Sequence, residues 1–333
     1  MLSTKKLTSI TDELDLKGIR GGMTPVSLGT VFQVPEEDEE ELPLTEPGKL
    51  IPVKIKSLPP RRRVVALDGT SMVLGKGEDS IVGAVRGSIV VREPEVPGFK
   101  TQNYGPYLVC FTSQNKGEVY GRLRSQIFQL PKTRKTPNLG KMIDWTRNLL
   151  EKQLQLEIAK NYQQSLLLFD GSMTISRDSP KSHLLELINI AAKNGNDIVS
   201  VSKHTTLTLK GTGRSILSPL EEVTGSCYCD VKPHLSTSTK YYTPIRIFTV
   251  KLSQKGEAFR VDIPINSSKE HEELLSEVAG LAGAFGYPEE LRIAHIACIF
   301  SSLEVLELQA AAVEKYDLEL REEIREKIFG PWG

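Results

Sequence analysis

Two acids in this chain are introduced by the same short phrase. Val64 to Ser71 reads VVALDGTS and Ser165 to Met173 reads SLLLFDGSM: an apolar run, an aspartate, a glycine and a hydroxyl residue. Each phrase reads as a buried strand that carries one carboxylate, Asp68 or Asp170, to its own tip. Gly171, after the second acid, has no Cβ, so another backbone, such as a nucleic-acid strand, can come close to Asp170 there. Two such tips side by side would hold two negative charges together, and like charges that close repel unless a cation lies between them. Hard oxygen ligands of this kind favour magnesium or manganese. Asp-Gly is also a common hairpin turn, so one copy alone has a purely structural reading. The repetition is what favours a shared role.

The elements that would position these acids follow from the pattern around them. Val64 to Leu67 gives a first strand, Ile81 to Val91 a second and Tyr107 to Thr112 a third, and their short connections predict an antiparallel meander. A polar stretch to about Leu139 precedes a long helix over Met142 to Gln163, whose apolar residues recur at helical spacing. Then come a strand at 165–169, a helix at 181–193 ended by Asn194 and Gly195, a strand at 198–202 and a short helix near 216–223. Strand-like runs at 242–252 and 258–263 precede a helix at about 268–285. Pro288 opens a further helix that is expected to run with little interruption to Ile328, with Leu306, Val313 and Leu320 on its packed stripe and Tyr316 and Ile324 nearby.

The fold class is therefore α/β: the meander followed by alternating helices and strands is the element order of a ribonuclease H-like mixed sheet, here with a helical C-terminal region. In that architecture acids from the first strand, the first helix and the fourth strand converge. Asp68 and Asp170 occupy two of those places, and the helix offers Glu151 and Glu157. The expected organisation is an extended, proline-rich arm over 1–60, a domain over 61–302, and a C-terminal helix and tail over 303–333.

Composition narrows the class. The chain has 333 residues, with 42 basic and 42 acidic side chains, so net charge gives no argument for nucleic acid. Six of the acids form one run, Glu36 to Glu41, and basic clusters stand at Arg61 to Arg63 and Lys132 to Lys135. Apolar runs stop far short of a membrane span, and the amino terminus does not resemble a secretory signal. The four cysteines include only one C-x-C pair, which argues against a zinc framework and for reduced thiols in a cytoplasmic protein.

These phrases together resemble the NurA nuclease family over about residues 63–300. The resemblance rests on VVALDGTS, LLEKQLQLE (149–157), LLLFDGSM, IVSVSK (198–203), AFRVDIP (258–264) and GYPEELRIAH (286–295), in that order. It implies a metal-dependent DNA nuclease, with 5′–3′ exonuclease and single-strand endonuclease activity. Such enzymes act in DNA end resection and repair with a HerA-type hexameric helicase, as homodimers. The implied cofactor is manganese or magnesium, two ions in all. Asp68, Glu151 and Asp170 would be ligands, with Glu151 preferred over Glu157 because the family's helix opens on Leu-Glu. His295 would join them as a ligand or proton shuttle. Tyr287 would position a phosphate or stack on a base, Lys203 would bring positive charge to the scissile phosphate, and Arg260 would track the DNA backbone. The chain departs from the family's pattern in Thr70, in the long arm and in the spacer before the helix. Glu36 to Glu41 and the terminal FGPWG, with Phe329 and Trp332, are the expected helicase contacts. Two other readings use the same residues. One is a docking subunit without activity, against which all three acids speak. The other is an ATPase with aspartate-glycine-threonine turns, which usually carry a residue between acid and glycine that is missing here.

Overall fold

The computed structural model describes residues 22–25, 50–128, 138–175, 180–208, 214–231, 244–283, 285–316 and 319–320. The acidic run, the Lys132 to Lys135 cluster, Ile324 and the FGPWG end lie outside the described residues.

Two short strands, β1 (Gly22–Pro25) and β2 (Val53–Lys54), precede the meander of β3 (Val64–Lys76), β4 (Ser80–Arg92) and β5 (Lys100–Thr112). β6 (Leu166–Asp170) runs parallel to β3, and β7 (Asp197–Ser202) runs parallel to β6. Beyond β7 the sheet continues antiparallel through β10 (Ala258–Pro264), β9 (Ile245–Lys251), β8 (Cys227–Asp230) and β2. The last described strand, β11 (Glu319–Leu320), pairs with β1, which in turn pairs with the far end of β3. The result is a mixed α/β fold around one large mixed sheet.

The runs before the two acids are continuously apolar because the sheet is covered on both faces. Val65, Leu67, Leu167 and Phe169 face one core, and Val64, Ala66, Leu166 and Leu168 the other. The first core is closed by α1 (Lys116–Phe128), α2 (Met142–Asn161), α3 (Lys181–Lys193) and the short α4 (Ser218–Glu221). The second is closed by α5 (His271–Ala279) and α6 (Glu289–Cys298). A smaller core under α7 (Ser302–Tyr316) covers the projecting end of the meander.

Four local expectations are corrected. The first strand does not end at its acid: β3 runs on through Asp68 to Lys76. The stretch before α2 contains a helix, α1. The helix expected at 268–285 is shorter, closing at Ala279. The helix begun at Pro288 does not run on: α6 ends at Cys298 and Ile299 is extended. Ser301 then opens α7 with a reciprocal cap, its hydroxyl accepting from the Glu304 amide at 3.3 Å while its own amide donates to Glu304 Oε2 at 2.9 Å. That Ser-x-x-Glu pattern is a helix start legible in the sequence. The new start turns the helix, so Val305, Ala312 and Tyr316 are buried, Leu306 is half exposed, and Leu320 belongs to β11.

Candidate metal centre

The site is built where β6 leaves the sheet. The β3–β6 register ends at Leu67 opposite Phe169, which sets Asp68 and Asp170 at the same level on adjacent strands. Gly171 has φ of 89°, a conformation that side chains with a Cβ resist, and it turns the chain away from β3 at that point. Both acids fall on the sheet face covered by α6, in phase with Val64, Ala66, Leu166 and Leu168.

Asp68 is 5% exposed. Its Oδ1 accepts from the Gly69 amide at 2.7 Å, and its Oδ2 lies 2.8 Å from His295 Nδ1 on α6. Asp170 is more open. Its Oδ1 accepts from the Gly171 amide at 3.1 Å and from the Tyr287 hydroxyl at 2.9 Å, and its Oδ2 accepts from Lys203 Nζ at 3.0 Å. Lys203 Nζ also stands 4.9 Å over the Tyr287 ring. Partial removal from water raises Asp170, and the Asp68 charge raises it further, against the opposing pull of Lys203 and Tyr287. Burial pulls Lys203 down, but Asp170 and Asp68 outweigh it, so the amine is held charged. Tyr287 is raised well above its ordinary value by burial and then by the two carboxylates, which keeps its proton available to donate.

Glu151 reaches the site from the opposite face. A Cβ added to Gly69 would lie 2.5 Å from Glu151 Oε1, so the carboxylate rests against the backbone just beyond Asp68. The space beside this glycine is therefore taken by Glu151. Arg147, one turn back on α2, lies 3.6 Å from the same oxygen. Glu157 sits about 9 Å further along the helix axis, where its charge bears on Tyr104 of β5 rather than on the acids.

Six of the candidate residues thus share one place, and Arg260 does not. It is fully buried, and its guanidinium grips Asp262 with both ends of the fork, Nε to Oδ1 at 2.9 Å and an Nη to Oδ2 at 3.0 Å. The expectation that it tracks a DNA backbone fails on that burial. Its work is structural, because Asp262 Oδ2 also accepts from the Met173 amide at 2.8 Å and so ties down the chain leaving the β6 tip.

The residue that sequence reasoning missed is Cys298. Ligand atoms of Asp68, His295 and Cys298 all lie within 4.8 Å of one another. Its spacing of three from His295, which puts both on one helix face, was the available signal. Burial raises this thiol, and the charges of Asp68 and Glu151 raise it further, so it stands protonated. The charged and neutral oxygen and nitrogen donors that remain, three carboxylates and an imidazole, suit a hard or borderline divalent cation.

The fold and this geometry can be set beside known proteins. The chain is similar to the crystal structure of the NurA nuclease from Sulfolobus solfataricus, at 18% identity over 80% of this chain and 89% of that one, with a TM-score of 0.50. It is also similar to a crystal structure of NurA with manganese, at 8% identity over 80% of this chain and 91% of that one, with a TM-score of 0.49. No curated protein matches it. The NurA domain matches residues 62–296, which is most of the chain and contains every residue of the site up to His295; on that match the chain belongs to the NurA family.

Proposed function

We propose that this chain is a metal-dependent DNA nuclease. The observation that carries the reading is the pair of aspartates at one level on adjacent parallel strands, with Asp68 among the causes that raise Asp170. Asp68, Asp170, Glu151 and His295 are the side chains that would hold divalent cations, two manganese or magnesium ions in this reading. Such ions, when bound, make water nucleophilic near neutral pH and steady the leaving oxygen of a phosphodiester. The Tyr287 hydroxyl fixes the orientation of Asp170. Lys203, held between Asp170 and the Tyr287 ring, presents a compact positive charge at the exposed edge of the site, suited to draw in a phosphate.

A ribonuclease H-like arrangement is supported by the neighbour relations β5-β4-β3-β6-β7, with the acids on the first strand, the long helix and the fourth strand of that set. Membership of the NurA family supports the finer reading: 5′–3′ trimming and single-strand cutting of DNA in end resection, as a homodimer on a HerA-type helicase. The test is incubation of the purified protein with end-labelled single-stranded DNA. Cleavage that requires manganese or magnesium is the expected result. DNA that stays intact with both metals, on protein shown to be folded, would overturn the reading.

A further inference from the structure

Cys298 is a third kind of donor placed against two residues already assigned to the centre. It is fully buried at the last turn of α6, and its thiol donates to the His295 carbonyl at 3.1 Å. That bond uses the proton and leaves the sulfur lone pairs uncommitted. Aspartate, histidine and cysteine atoms within 4.8 Å of one another need only modest inward rotation to meet one ion, since zinc binds oxygen and nitrogen at about 2.0–2.2 Å and sulfur at about 2.3 Å. Manganese and magnesium gain little from sulfur, whereas zinc takes mixed nitrogen, oxygen and sulfur sets readily.

We propose that Asp68, His295 and Cys298 form a zinc-selective site that overlaps the nuclease centre, so that zinc displaces the productive cation and arrests cleavage. The inhibitory part rests on the nuclease reading; zinc capture itself does not. On binding, the S–H bond breaks, a Zn–S bond forms and the proton leaves to solvent, with no change of oxidation state. The other three described cysteines are buried on other elements, Cys110 on β5 and the Cys227 and Cys229 pair on β8; they remain in Cys298→Ser and so provide the control for any thiolate signal.

The experiment titrates the full chain with Co²⁺ alone, as a spectroscopic stand-in, and then with Zn²⁺ alone. The expected result is a near-ultraviolet thiolate-to-cobalt absorption that saturates at one ion per chain and is bleached by zinc. Cys298→Ser should remove the band and weaken zinc binding roughly tenfold or more, with His295→Ala as a second variant that also lowers zinc affinity. Circular dichroism and the melting temperature check that each variant is folded. A missing band in the wild type, or an unchanged band in folded Cys298→Ser, would overturn the proposal. Manganese-dependent cleavage without the band would sink this inference and leave the nuclease standing; the band without any cleavage would do the reverse.

Discussion

Asp68 lies inside β3, which runs on to Lys76; it is buried against His295, and its following glycine gives up its side-chain space to Glu151 from the far face of the sheet. At the β6 tip, Asp170 stands nearer solvent between Lys203 and Tyr287, and its following glycine serves a turn in the positive-φ region. The two phrases are almost the same in sequence. What separates them is what each face of the sheet delivers: α2 lies over Gly69, while the end of β7 and the start of α6 flank Asp170. A repeated motif therefore built two unlike halves of one centre, one buried and hydrogen-bonded, the other more open and already holding a positive charge.

The largest expected effect is at the open half. Asp170→Asn should lower cation-dependent cleavage on the order of a thousandfold, while fluorescence anisotropy shows DNA affinity nearly unchanged. Activity close to wild type at saturating manganese would break the pairing of the two acids.

Next comes the support beneath that half. Arg260→Ala removes the guanidinium that faces the buried Asp262 carboxylate under the β6 tip, and should destabilise the fold by about 3–5 kcal/mol in denaturant unfolding. Lost DNA affinity with unchanged stability would restore the surface role that burial denies it.

The two glycines sharpen the contrast further. Gly171→Ala should cost about 1–2 kcal/mol of stability through backbone strain. Gly69→Ala should cost less stability, since the clash falls on the end of a flexible glutamate, but should lower manganese affinity roughly tenfold by displacing it. Calorimetric titration beside thermal melts separates the two, and matching profiles for both variants would mean that the two glycines do the same work.

The smallest effect is expected at Glu157. Glu157→Gln should leave cleavage within about twofold of wild type, whereas Glu151→Gln should lower it by roughly tenfold or more. The same cleavage assay decides it, and the reverse ranking would mean that α2 sits differently over the sheet.

The sequence by itself determined the strand that ends at Asp170, the apolar run that leads to Asp68, the meander, and the helix–strand order that follows, because apolar runs, period-3.6 stripes and Asn-Gly helix ends are local signals. That the first strand runs on through Asp68 to Lys76 was settled by its pairing with β4. The cap at Ser301 and Glu304 was equally local and went unread, which let one helix be drawn where two stand. Only the tertiary structure decided which glutamate of α2 lies against Gly69, since that depends on how far the helix slides across the core of β3 to β5, a sum of contacts remote in sequence. It decided the fate of Arg260 for a like reason: a charge inside FRVDIP reads as exposed until the strand is seen to be central, paired on both edges by β7 and β9. And it brought Cys298 to Asp68 across more than half the chain, because α6 packs over β3 at Asp68 and turns the face shared by His295 and Cys298 toward it.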